Sequence, residues 1–133
     1  MTVIDSSAWI EYFTGTSKGS MVHEILGTEA TTPSIVLAEV ARKYRREGTQ
    51  TPQIRKRLLF MEANSQIIDM NVDIAVEAAK IFEELGHKAK REGLRSVGLA
   101  DAIVLAIARA LKTRLITADR HFKGISDVNY IGE

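Results

Sequence analysis

The sequence predicts an α/β domain of three layers: a mainly parallel, twisted sheet flanked by helices. Three observations carry this. Short apolar runs alternate with longer stretches of helical spacing. No hairpin turn signals join the runs. The runs are continuously apolar, as in strands buried on both faces.

Taken in order, Thr2 to Ile4 reads as the first strand. Ser6 or Ser7 is placed to cap a helix carrying Trp9, Ile10, Tyr12 and Phe13. A short helix over Ser20 to Leu26 is expected to end at Gly27. Thr31 to Ile35 is an ambiguous strand, because Pro33 argues against it or places it at an edge. Ser34 is a candidate cap for a helix from Ile35 to Arg46, stopped by Gly48. Pro52 suits the first turn of a helix reaching Glu62. Gln66 to Asp69 reads as a strand, with Asp69 as a turn residue before Asn71. Asn71 in turn caps a long helix from Val72 to about Lys90, with Ile74, Ala78, Ile81 and Leu85 on one face. Leu99 to Leu111 is the next helix, Arg114 to Thr117 a strand, Asp119 to Phe122 a turn, and Val128 to Ile131 the last strand.

The 133 residues fit one domain. With 45% hydrophobic residues the chain can bury a core. The absence of cysteine excludes disulfides, thiolate nucleophiles and cysteine-ligated zinc or iron–sulfur centres. Met1 leads directly into the first strand with no basic, apolar leader, and no apolar run reaches the roughly 20 residues of a membrane helix. A soluble cytoplasmic protein is expected, with no membrane partner.

Four acids stand in or at the end of apolar segments: Asp5, Glu39, Asp101 and Asp119. Asp5 and Asp119 follow predicted strands, and in parallel sheets ligands bind beyond the carboxyl ends of strands. Asp101 and Glu39 lie near helix N-termini, where the dipole favours a carboxylate. Carboxylates in such surroundings need a partner, and four together repel unless a cation holds them. This reads as a divalent-metal site for hard ions, Mg2+ or Mn2+. Each acid also has a plain structural reading as a cap or turn residue. His23, His87 and His121 lie in unrelated segments and form no constellation by sequence.

The net charge is only +1, yet Arg42 to Arg57 holds seven basic residues against the single acid Glu47. A second basic group holds Lys88, Lys90, Arg91 and Arg95. Segregated charge fits acids around a metal and bases around a polyanion such as RNA. Arg42, Arg46, Arg120 and Lys123 are the candidate phosphate contacts; solvated helix faces are the competing reading. Trp9, Tyr12 and Phe13 fit core or dimer surface better than base-stacking platforms.

The segments around the acids resemble a known family. Asp5-Ser6-Ser7-Ala8-Trp9-Ile10-Glu11-Tyr12-Phe13 resembles the opening of PIN-domain nucleases. Ser34-Ile35-Val36-Leu37-Ala38-Glu39-Val40-Ala41, Leu99-Ala100-Asp101-Ala102-Ile103-Val104-Leu105-Ala106 and Leu115-Ile116-Thr117-Ala118-Asp119-Arg120-His121-Phe122 resemble its second, third and fourth acidic motifs. Order, spacing and size are similar to VapC-type toxins of toxin–antitoxin pairs. The resemblance implies a PIN-like fold and a metal-dependent endoribonuclease leaving 5′-phosphate and 3′-hydroxyl ends. It implies Asp5, Glu39, Asp101 and Asp119 as metal-binding, catalytic acids, with the hydroxyls of Ser7 and Thr117 in support. It implies a homodimer and inhibition by a cognate antitoxin. One departure is that Lys123 stands where some relatives carry a further acid. One ion or two therefore stays open.

Two other classes compete. Receiver and dehalogenase-like phosphoryl-transfer domains put a second acid beside or two after the first, where this chain has Ser6 and Ser7. A non-catalytic RNA- or protein-binding module, or a housekeeping RNA-processing nuclease, would keep the fold but not the toxin role.

Overall fold

A computed structural model describes all residues, Met1–Glu133. The chain runs β1 (Thr2–Ile4), α1 (Ser6–Thr14), α2 (Ser20–Ile25), β2 (Ala30–Pro33), α3 (Ser34–Arg46), α4 (Thr51–Asn64), β3 (Gln66–Ile68), α5 (Val72–Arg91), α6 (Leu99–Ala110), β4 (Arg114–Thr117) and β5 (Val128–Tyr130). Short 3-10 turns occupy Ser17–Gly19 and Arg120–Phe122. The predicted class holds: five strands in the order β3-β2-β1-β4-β5 form one sheet, every pair parallel, flanked by six helices. No helix is long and apolar enough to cross a membrane.

Strand order explains where a site must form. From β1 the chain winds outward through β2 to β3, then crosses back to lay β4 on the other side of β1. Right-handed crossovers send the connections of the two halves to opposite faces. Between β1 and β4 the connections diverge and leave a crevice at the carboxyl ends of the strands. Val3 pairs with Leu115 and Ile4 with Ile116, so Asp5, next after β1, and Asp119, two residues beyond β4, come together at that end of the sheet.

Apolar spacing sets the packing. On α5, Ile74, Ala78, Ile81, Leu85 and Ala89 are buried at intervals of three and four, as their periodicity predicts. Helix α6 is buried over seven consecutive residues, Ala102 to Ala108, so it is enclosed on every side. Removing a large side chain there, as in Ile107→Ala, costs about 2–5 kcal/mol. Trp9 is fully buried and its indole N–H donates to Thr32 Oγ1 at 3.1 Å. The same hydroxyl meets Ser65 Oγ at 2.8 Å, and Ser65 donates to the Met61 carbonyl. This polar thread ties α1 to β2 and α4. Trp9 is thus core, while Tyr12 and Phe13 are partly buried against it.

Several local expectations need correction. Pro33 does not put β2 at an edge: β2 pairs with β1 on one side and β3 on the other. Its pairing with β1 ends at Thr31, so the proline, last in the strand, meets only β3. Neither Ser6 nor Ser7 caps α1; Asp5 holds the N-cap position without a side-chain cap bond. Ser34 lies inside α3, with Pro33 at the N-cap. Asn71 does cap α5, its Oδ1 accepting from the Ile74 N–H at 2.9 Å. Gly27 and Gly48 follow α2 and α3 with φ of +76° and +85°, the left-handed region where glycine terminates helices cheaply.

Candidate metal centre

Each acid reaches the crevice by a different device. Asp5 leaves the end of β1 and is 1% exposed. Its Oδ2 accepts from Thr117 Oγ1 at 2.7 Å and from Ser7 Oγ at 3.2 Å. Both hydroxyls in turn accept backbone N–H groups from the end of β4: Ala118 N–H donates to Ser7 Oγ at 2.9 Å and Asp119 N–H to Thr117 Oγ1 at 3.0 Å. The two oxygens lie 3.1 Å apart. Ser7 and Thr117 therefore seat Asp5 against the strand that carries Asp119. Asp5 Oδ1 is buried with no hydrogen-bond partner.

Glu39 projects from the second turn of α3, and its Oε1 is also buried without a partner. Asp101 lies in the first turn of α6, where its Oδ2 accepts the Gly98 N–H at 3.1 Å and caps its own helix. Asp119 follows β4, and its Oδ1 accepts the His121 N–H at 2.9 Å and faces His121 Nδ1 at 2.7 Å.

Electrostatics shows that the four form one cluster. Burial pushes the Asp5 carboxyl up to about 7, with the charges of Asp101 and Asp119 adding to it against the Thr117 hydrogen bond. Burial likewise pushes Glu39 up to about 8, reinforced by Asp5, Asp101 and Asp119. Asp101 is raised by burial and then by Asp119, against the Gly98 N–H. Burial lowers the His121 pKa, but the Arg95 carbonyl and Asp119 outweigh it and raise the ring overall. A buried carboxylate oxygen without a donor costs free energy that a bound cation removes. Asp5 Oδ1 and Glu39 Oε1 are such atoms, so the residues fit a hard divalent ion.

The crevice opens as a cleft of about 540 Å³ lined in part by Ser7, Glu39 and Asp119. Lys43, Arg95 and Arg120 supply its cationic wall. Of the candidate phosphate contacts, Arg120 lines the cleft, whereas Arg42 and Arg46 are exposed on α3 outside it. Lys123 is also outside, 5.5 Å from the Tyr130 ring centroid. Sequence reasoning passed over Lys43, one helical turn beyond Glu39, and His121, two residues after Asp119. The i,i+4 spacing was the available signal for the first. For the second it was the Asp-x-His spacing at a strand end. Arg57, counted with the basic helices, sits 4.1 Å over the Tyr44 ring and covers aromatic surface.

Fold and site together define a parallel α/β domain with four acids at its switch point. The sequence matches the PIN domain family over residues 2–128, and the chain belongs to that family. Comparison with curated protein sequences finds no match. Among solved structures, the chain is similar to a toxin–antitoxin complex from Klebsiella pneumoniae, at 24% identity over 100% of this chain and 99% of that one, with a TM-score of 0.73. It is similar to VapC20 of Mycobacterium tuberculosis, a sarcin–ricin loop cleaving toxin, at 15% identity over 96% and 97% of the two chains and a TM-score of 0.68. It is also similar to VapBC-1 of nontypeable Haemophilus influenzae, at 19% identity over 97% and 95% and a TM-score of 0.68.

Proposed function

We propose that this protein is a metal-dependent endoribonuclease, the toxin of a VapBC-type toxin–antitoxin pair, acting in the cytoplasm as a homodimer and held inactive by its cognate antitoxin. The observation that carries the reading is the pair of buried, unpartnered oxygens, Asp5 Oδ1 and Glu39 Oε1, beside a cleft with a cationic wall. Membership of the PIN family and likeness to toxin–antitoxin structures support it.

In this reading Asp5, Glu39, Asp101 and Asp119 hold Mg2+ or Mn2+. The ion, when bound, activates water and offsets charge building on the phosphodiester, yielding 5′-phosphate and 3′-hydroxyl ends. Ser7 and Thr117 orient Asp5 through its Oδ2. Arg120, Arg95 and Lys43 hold the RNA backbone, since phosphate contacts position a strand without reading its sequence.

Cleavage of a labelled RNA pool by the purified chain, with Mn2+, Mg2+ or chelator and beside Asp101→Asn, tests this. Cuts that need metal and vanish in the variant are expected. Cuts that survive both chelator and the substitution would overturn the site.

A further inference from the structure

His121 lines the cleft and is 8% exposed. Its Nε2 lies 2.8 Å from the carbonyl oxygen of Arg95, in the loop between α5 and α6. A carbonyl oxygen can only accept, so Nε2 carries the hydrogen there. That contact fixes the ring and turns Nδ1 toward the acids, 2.7 Å from Asp119 Oδ1. Nδ1 and one oxygen each of Asp101 and Asp119 all lie within 4.8 Å of one another. A six-coordinate ion with bonds of roughly 2.1 Å spans about 4 Å between opposite ligands, so side-chain shifts of under about 1 Å let a single ion take all three. Asp5, 1% exposed and close enough to Asp101 and Asp119 to feel their charge, has an Oδ1 with no partner.

Histidines that bind metals commonly donate the other ring N–H to a carbonyl or carboxylate, which fixes the tautomer. His121 and Arg95 form that arrangement. We propose that His121 Nδ1 joins Asp101 and Asp119 as a nitrogen ligand of the divalent ion, and that this nitrogen makes the centre prefer Mn2+ to Mg2+. The inference rests on the nuclease reading above for the presence of an ion. Imidazole suits transition metals, while Mg2+ favours oxygen. Without metal, Nδ1–H donates to Asp119 Oδ1. To hold the ion, Nδ1 would release that hydrogen as a proton to solvent, which would free its lone pair as the ligand. Asp119 keeps the backbone N–H of His121, so the turn need not rearrange.

The test is electron spin-echo modulation of Mn2+ bound to the full-length chain, in natural-abundance and 15N-histidine forms, beside His121→Gln. A directly bound nitrogen is expected, its pattern changing with the label and disappearing in the variant. Calorimetry should show Mn2+ affinity falling about ten- to a hundredfold in His121→Gln, with Mg2+ affinity moving less. If the variant fails to fold, the labelled wild-type spectrum still decides, because His23 and His87 do not line the cleft. Mn2+ bound with oxygen ligands alone would overturn the inference and leave the nuclease reading standing, as would a nitrogen signal that persists in His121→Gln. A folded chain that binds no Mn2+ would overturn it too. The RNA assay with Asp101→Asn then reports separately on the nuclease reading.

Discussion

The four acids divide into two pairs built on opposite principles. Asp101 and Asp119 each receive a backbone N–H, from Gly98 and His121, and their carboxylates are fixed by their own chain. Asp5 and Glu39 each keep one buried oxygen without any donor. The first pair has its donors before anything binds, and the second pair does not. The donor-held pair supplies fixed geometry, and the unpartnered pair stays costly until a cation arrives.

Asp5→Asn separates the two roles most sharply. It keeps the shape, removes a buried charge, and should lower RNA cleavage about 10³-fold, the scale of losing a main electrostatic group from an active centre. The same change should leave the metal-free fold as stable as wild type or more so, by thermal melting. A matching loss of both would show that Asp5 is needed for the fold and blur the distinction.

Acidity gives a second contrast. Asp5 titrates near 3.8 unfolded and about 7 folded, so the native state holds its proton where the unfolded state has lost it. Stability of the metal-free protein should therefore be highest near pH 4 and fall as pH rises toward 7, on the order of 1 kcal/mol per unit. Glu39, raised from 4.5 to about 8, acts in the same direction over a wider window. Melting in chelator across pH checks this, and Asp5→Asn should flatten the curve. Adding Mn2+ at a hundred times its dissociation constant should restore about 2.7 kcal/mol at neutral pH, and none in Asp5→Asn.

Thr117→Val probes the link between Asp5 and Asp119. It removes the 2.7 Å bond to Asp5 and the acceptor for the Asp119 N–H. A loss of about 1–3 kcal/mol in stability is expected by denaturant melting, with reduced cleavage. The smallest effects belong to the cations. Arg120→Ala should weaken RNA binding and lower its salt dependence, while Arg42→Ala, outside the cleft, should leave both nearly unchanged. Equal effects would mean that RNA runs along α3 rather than through the cleft.

Much of this was legible in the residues. Periodicity placed α5 and α6, and continuous apolar runs gave β1 and β4 and hence their flanking acids. Pro33 misled because a proline says that one N–H is missing, not which neighbour stops short of it. On α3, Arg42 lies about 60° to one side of Glu39 and Lys43 about 40° to the other, at roughly 100° per residue. Only the folded crevice reveals which side is lined. The Asp-x-His spacing marks His121 only in part, because its orientation depends on the Arg95 carbonyl, 26 residues away and featureless in sequence.

The bond from Thr117 to Asp5 spans 112 positions. Strand β1, central in the sheet, leaves the ribosome well before its neighbour β4. A chain still being synthesised therefore has Asp5 but no seat for it and no Asp119 beside it. The acid cluster therefore comes together only once β4 has been made, and the opening motif alone builds no centre. Loss of the segment after Ala110 would leave an intact opening motif and no active site.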